Sequence, residues 1–133
     1  MSSHSVILAL GSNLASAPRV LEWTRRKLRS LFGTDCQFSR PVWTEPIDYP
    51  YPFPFLNQVV ELKTDRPLII VSSLLKTLED GMRHRKSATE EGRVIVDIDL
   101  LAYDHEVLRP KDWDREYIQN GLHELQGKHG KNL

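Results

Sequence analysis

The chain of 133 residues has a single cysteine, Cys36. One thiol excludes an internal disulfide and fits a reducing compartment. Neither sign of charge is in excess, because 18 basic and 18 acidic residues cancel to a formal net charge of zero. Nothing therefore marks the whole surface for nucleic acid or for an anionic membrane. Long hydrophobic runs are missing too. Val6–Leu10 is too brief for a membrane span or a signal sequence, and the opening Met-Ser-Ser-His has no basic region. The expectation is a cytoplasmic protein with no membrane and no nucleic-acid partner; the sequence is silent on oligomeric state. There is no internal repeat, and the five histidines show no metal-ligand spacing. What remains is ordinary globular composition, 40% hydrophobic and 27% charged. It predicts one domain over 1–133, with about 126–133 (through Gly127-Lys128-His129-Gly130) as a flexible tail.

The most informative stretch is Val94-Ile95-Val96-Asp97-Ile98-Asp99-Leu100-Leu101. Read as a strand, it puts Val94, Val96, Ile98, Leu100 and Ala102 on one face. Ile95, Asp97, Asp99 and Leu101 take the other. Two neighbouring carboxylates on a strand fit for burial repel each other and resist desolvation. A hard divalent cation compensates, and Mg²⁺ is usually held by one or two carboxylates plus substrate phosphates. The plainer reading is an edge strand with a wet face whose acids pair with lysine or arginine.

Around this stretch the chain reads as alternating elements. Ser5–Leu10 is a buried strand ended by Gly11-Ser12-Asn13. Ser16 and Pro18 start a helix that Gly33 stops, with Val20, Leu21, Trp23, Leu28, Leu31 and Phe32 inward and Arg25, Arg26, Lys27 and Arg29 outward. A second strand spans about Cys36–Thr44. Residues 47–54 form a proline-stiffened loop carrying Tyr49, Tyr51 and Phe53, which either cover the core or stack on a flat heterocycle. Phe55–Lys63 is a third strand with Asn57 between apolar neighbours. Asp65 and Pro67 open a second helix through Leu68, Val71, Leu75, Leu78 and Met82, near whose end come Glu79, Arg83, Arg85 and Lys86. After the Asp-x-Asp strand, Asp104-His105 turns a hairpin, and Trp113–Leu125 has helical spacing. The order strand, helix, strand, strand, helix, strand is the α+β ferredoxin-like βαββαβ pattern. It implies an antiparallel sheet with helices on one face, here with a short C-terminal helix added.

Taken together these pieces resemble the 6-hydroxymethyl-7,8-dihydropterin pyrophosphokinase family of folate biosynthesis, as a short and diverged member. The family's Gly-Ser-Asn is matched by Gly11-Ser12-Asn13, and its Thr-Pro-Pro-Leu-like loop by Thr44-Glu45-Pro46-Ile47. Its Tyr-Leu-Asn strand is matched without a gap by Phe55-Leu56-Asn57. Its glutamate and Gly-Arg-x-Arg are similar to Glu79 and Met82-Arg83-His84-Arg85. Its Leu-Asp-Leu-Asp-Ile resembles Val96-Asp97-Ile98-Asp99-Leu100, eighteen residues beyond the glutamate in both.

The resemblance implies transfer of a pyrophosphoryl group from ATP to the pterin hydroxymethyl with release of AMP, assisted by two bound Mg²⁺ ions. Carried over, Asp97 and Asp99 are metal ligands and, with Arg83 and Arg85, the catalytic set. Thr44, Ile47, Phe55, Asn57 and Tyr117 line the pterin pocket. Glu79, Arg83, Arg85, Leu100 and Arg115 face the nucleotide. Neither a Gly-x-x-x-x-Gly-Lys nor a Gly-x-Gly-x-x-Gly loop occurs, which is no objection where metals and arginines grip the phosphates. The chain departs from the pattern at Glu91-Gly92-Arg93-Val94, where a tryptophan and a proline are gone. It departs again at Leu108-Arg109-Pro110-Lys111, a shortened ATP-side stretch, and at Tyr117, which replaces a phenylalanine. Two other classes remain: a homologue that binds pterin or nucleotide without catalysis, and a ferredoxin-like regulatory or interaction module.

Overall fold

The computed structural model describes residues 3–46, 48–85 and 91–131, with the side chains of 84, 85 and 128–131 left aside. The polar composition of 87–92 predicts a loop there, which falls largely outside these residues. The apolar run at the start forms β1 (His4–Ser12), buried along most of its length at the sheet centre. Helix α1 (Ala17–Phe32) begins with Pro18 in its first turn. It ends at Gly33, whose φ of +86° is a left-handed conformation that glycine adopts at little cost. Strands β2 (Cys36–Phe38) and β3 (Val42–Thr44) both pair with β4 (Phe55–Thr64) on the same edge. The single strand expected over 36–44 is thus broken, because Pro41 has no N–H to give the ladder. Side chains fill the gap: Gln58 Nε2 donates to the Ser39 carbonyl at 2.6 Å, and Val59 N donates to Ser39 Oγ at 2.9 Å.

Helix α2 (Leu68–Arg85) overrides the strand propensity of Ile69-Ile70-Val71: Val71 is buried while Ile69 and Ile70 face outward. Strand β5 (Asp97–Tyr103) returns beside β1, and a hairpin through Asp104 leads to β6 (Glu106–Val107). Two helices follow, α3 (Pro110–Trp113) and α4 (Glu116–Lys131). The tail expected from about 126 is therefore helical backbone through Lys131. Every pairing is antiparallel and the order is β2-β4-β1-β5-β6, with β3 also on β4. This is the expected ferredoxin-like arrangement. None of the described helices is long and apolar enough to cross a membrane.

Two apolar layers follow from the alternation of side chains. Helices α1 and α2 cover one face of the sheet through Leu21, Leu28, Val71 and Leu75, packed on Val6, Leu8, Val60 and Leu62. Helix α4 covers part of the opposite face through Ile118 and Leu125, on Ile7, Ala9, Val59 and Leu101. Each layer removes side chains worth roughly 1.5–3 kcal/mol apiece from water. The arginine face of α1 is not uniformly solvated. Arg25 Nη1 reaches inward to Gln58 Oε1 at 2.9 Å, supplying the donor that a buried amide oxygen needs on the β4 side.

Strand β5 also departs from strict alternation. It starts at Asp97, not Val94, and a register shift opposite Ile7 and Leu8 inserts one residue. Leu101 and Ala102 consequently both face the α4 layer, where the alternation had placed Ala102 with Leu100. Ile95 packs with Val96 in the α1–α2 layer instead of beside the aspartates, because that segment precedes the ladder.

The approach of α4 to the sheet depends on Gly121. A Cβ there would lie 2.5 Å from Val59 Cγ2 and 2.9 Å from Val59 Cβ, so the helix would have to shift. We predict that Gly121→Ala lowers the unfolding free energy by about 1–3 kcal/mol, the usual range for an overpacked contact. Urea denaturation measures it, and an unchanged midpoint would show that α4 rides loosely on the sheet.

Candidate active site

Gly11-Ser12-Asn13, the turn that matches the family's Gly-Ser-Asn, forms a buried clasp at the end of β1. Asn13 Nδ2 donates to the Gly92 carbonyl at 2.8 Å, and Val94 N donates to Asn13 Oδ1 at 2.5 Å. Asn13 N adds a bond to the Val94 carbonyl at 3.2 Å. These bonds occupy the backbone of the segment just before β5, so pairing with β1 begins only at Asp97 opposite Gly11. The aromatic loop packs onto the same segment. Tyr49 Oη donates to the Gly92 carbonyl, and Tyr51 Oη donates to Glu91 Oε1 at 2.8 Å. A Cβ at Gly92 would run into the Tyr51 ring, and φ is +86° there. Arg93 lies with its guanidinium 3.6 Å from the centre of the Phe53 ring and donates to the Asn13 carbonyl at 2.5 Å. Tyr51 and Phe53 thus cover neighbouring chain, while Tyr49 reaches the cleft described next and stands edge-on to Phe55.

That cleft, about 220 Å³, opens above the ends of β1, β4 and β5. It brings together Thr44, Phe55, Asn57, Asp97, Asp99, Arg115 and Tyr117, seven of the residues expected from the sequence. Asn57 Nδ2 donates to Thr44 Oγ1 at 2.6 Å and to the Phe55 carbonyl at 3.3 Å, which orients the amide across β3 and β4. Gly11 keeps this corner open, since a Cβ would come within 3.2 Å of Asn57 Oδ1. A larger hollow of about 900 Å³ adjoins the cleft between the broken edge and α4. It shares Thr44, Glu45, Asn57, Arg115 and Tyr117 but contains neither aspartate.

The remaining expected residues lie elsewhere. Glu79, largely buried, accepts from Ile98 N at 2.8 Å through one oxygen and pairs with Arg83 at 3.0 Å through the other. It ties α2 to β5. Arg83 Nη2 stands 3.8 Å from Asp97 Oδ1, beside the cleft and not lining it. Leu100 packs on the α1–α2 layer, across the sheet from the aspartates. Ile47 and the Arg85 side chain fall outside the described residues.

The electrostatics are those of crowded acids. Burial first, then Asp99 and Glu79, push the Asp97 carboxyl up to about 6, against the opposing pull of Arg83 and Arg109. Burial also raises Asp99, with Arg109 as the largest opposing influence. Tyr117 is raised by its burial. Arg109 and Asp112 line the cleft and were missed as site residues. Their signal was the spacing Arg109-x-x-Asp112-x-x-Arg115 beginning at a Pro110 helix start, which brings i and i+3 side chains together. Among the described residues, no group of three or more His, Cys, Asp or Glu is gathered to hold a metal unaided.

An acidic pair flanked by guanidinium groups and an aromatic-walled recess, on a ferredoxin-like sheet, have the chemistry of a site for a flat ring and charged oxygens. Comparison with known proteins narrows the class. The profile of the 7,8-dihydro-6-hydroxymethylpterin-pyrophosphokinase family matches residues 7–127, and the chain belongs to that family. Two relatives, from two strains of Porphyromonas gingivalis, bear the name 2-amino-4-hydroxy-6-hydroxymethyldihydropteridine pyrophosphokinase. Each is 28% identical over 134 positions that cover 90% of this chain and 89% of the relative.

The raised Asp97 has a direct consequence for stability. Its folded value of about 6 exceeds the ordinary 3.8, so the folded state holds the proton more tightly than the unfolded one. The stability this confers is complete below about pH 4 and is lost as pH rises through 6. Asp97→Asn should therefore stabilise the protein at pH 7 and lose that advantage near pH 4. The side chain is 42% exposed. Solvent screening reduces the expected gain to about 1 kcal/mol, or roughly 4 °C in Tm. Thermal melts of both proteins at pH 4 and 7 without divalent metal check it, and an equal shift at both pH values would contradict the assignment.

Proposed function

We propose that the protein transfers the pyrophosphoryl group of ATP to 6-hydroxymethyl-7,8-dihydropterin in folate biosynthesis, releasing AMP, with Mg²⁺ (two ions) held by Asp97 and Asp99. Family membership supports the pyrophosphokinase activity and its pathway. The observation that carries the finer reading is the placement of Asp97 and Asp99 in one cleft with Thr44, Asn57, Phe55 and Tyr117. The donor set fits a hard divalent cation: two adjacent carboxylates are both raised by burial, and the described guanidiniums nearest to them stand at 3.8 and 3.6 Å, beyond hydrogen-bond reach. With two carboxylates and no third ligand gathered among the described residues, phosphate oxygens would complete the coordination. Bound there, Mg²⁺ would supply charge neutralisation on the transferring group.

The chain's own residues do the rest. Asn57, fixed by Thr44, presents its remaining acceptor to the donor edge of the pterin, with Phe55 and Tyr117 as aromatic walls; Ile47 joins them by the family resemblance alone. The acceptor hydroxymethyl oxygen would bond to the β-phosphorus as the bond to the AMP oxygen breaks; its proton passes to solvent. Arg83, held by Glu79, offers a planar fork to the phosphates, and Arg115 adds a second guanidinium from the cleft wall; Arg85 is assigned to the phosphates by the family resemblance alone. Leu100, packed in the α1–α2 layer on the other face of the sheet, takes no part in this cleft. We place the reaction in the cytoplasm, where a lone buried Cys36 stays a thiol. The two other classes drawn from the sequence, binding without transfer and a regulatory module, gain nothing specific from this geometry.

AMP release from ATP, Mg²⁺ and the reduced pterin is the direct assay. Asp99→Ala should lower turnover at least about a hundredfold, the scale of removing a main electrostatic stabiliser of the transition state. Near-normal turnover of that variant at saturating Mg²⁺ would overturn the metal assignment. Asn57→Ala should weaken pterin binding by about 10- to 100-fold, because a desolvated ring edge loses its partner. Nucleotide affinity should change little. An equal loss for both ligands would place Asn57 in the fold and not in the pocket.

A further inference from the structure

Opposite Arg83, the aspartates face a second guanidinium that family resemblance did not supply. Arg109 Nη1 lies 3.6 Å from Asp99 Oδ1, too far for a hydrogen bond, so Asp99 does not hold it. What holds it is Asp112: Arg109 Nε donates to Asp112 Oδ2 at 2.6 Å. The other oxygen of the same carboxylate, Oδ1, is 3.3 Å from Arg115 Nε. One carboxylate thus engages two arginines, each through Nε, and all three residues line the cleft that contains Asp97 and Asp99. The side chain of Asp112 is only 21% exposed, against 50% for Arg109, so the anchor sits behind the group it anchors. The one-turn helix α3 makes this possible by bringing positions 109, 112 and 115 to one side.

We propose that Asp112 is a positioning residue that presets Arg109 and Arg115 as a paired clamp for the nucleotide's phosphate oxygens, across the aspartates from Arg83. Engagement through Nε sets Arg109 Nη1 3.6 Å from Asp99 Oδ1 on the wall of the cleft, and the terminal nitrogens are atoms a guanidinium uses to grip phosphate bidentately. Fixing long side chains before the ligand arrives reduces the entropy lost on binding. The plainer role of such i,i+3 pairs is to steady a short exposed helix, which would leave ligand affinity untouched.

The inference rests on the ATP-dependent reading above, and its test keeps the two apart. The whole protein is titrated with α,β-methylene-ATP plus Mg²⁺, and separately with the reduced pterin. Wild type is compared with Asp112→Asn, Arg109→Ala, Arg109→Lys and the Asp112→Asn/Arg109→Ala double variant. Asp112→Asn should weaken the nucleotide analogue about tenfold while pterin affinity stays within about twofold, as expected for loss of a charge-assisted contact. Arg109→Lys, which keeps the charge but loses Nε, should lose a similar amount. The double variant should be weaker than Arg109→Ala by no more than about threefold, because the carboxylate acts largely through that guanidinium. Unchanged nucleotide affinity in Asp112→Asn, losses that multiply in full, or equal losses for both ligands would each overturn the proposal. A wild-type protein that binds pterin but not the analogue would overturn the ATP reading, and this inference with it.

Discussion

The site depends on the amide of Asn13. Its two functional atoms are spent on Gly92 and Val94, so the end of β1 and the approach to β5 cannot move independently. The side chain is buried, where an amide left without partners would cost about 1–3 kcal/mol per group, and this gives the clasp its strength. Everything that presents Asp97 follows from it. Strand pairing starts at Asp97, three residues past the clasped Val94, the carboxylate emerges at the lip of the cleft, and Gly11 opposite it leaves room above the sheet. Tyr49, Tyr51, Phe53 and Arg93 reinforce the same segment from the loop side.

With the aspartates fixed, their charge becomes the next constraint. Two partly buried acids beside Glu79 are unfavourable, and the chain answers with arginines that approach without closing tight pairs. Arg83 stands 3.8 Å from Asp97, and Arg109 stands 3.6 Å from Asp99. Each is held more closely by a different carboxylate, Glu79 at 3.0 Å and Asp112 at 2.6 Å. Among the described residues, neither guanidinium closes a hydrogen bond on an aspartate; Arg109 lines the same cleft and Arg83 stands beside it. Both features suit a ligand that brings cations and anions together, as a metal–polyphosphate does.

The sequence made the periodic features legible and hid those that rest on side-chain bonding. Alternation in Phe55–Lys63 correctly separated Leu56, Val60 and Leu62 from Asn57 and Val59. The same rule failed in β5, because a bulge is invisible to period-two reasoning and reverses every face beyond it. Spacing located Asn57 and the aspartates, which the fold does bring into one cleft. Arg109 and Asp112 were hidden because their meeting depends on one helical turn after Pro110, in a stretch read mainly for what it had lost. Arg25 was placed in solvent by the amphipathic pattern of α1, yet its length lets it reach the buried Gln58 amide, a partner that lies 33 residues away along the chain.

The C-terminal helix couples the core to the chemistry. Ile118 and Leu125 bury the second face of the sheet, and Gly121 sets how closely the helix can lie on Val59. The residues at its start, Arg115 and Tyr117, are then delivered to the cleft by the same contact that stabilises the domain. A ferredoxin-like sheet without α4 would keep its aspartates but lose one wall of the pocket and one side of the arginine pair. Helix α4 is therefore part of the site as much as of the fold, and packing changes at Val59 or Gly121 should be transmitted to Tyr117, four residues or roughly one helical turn before Gly121.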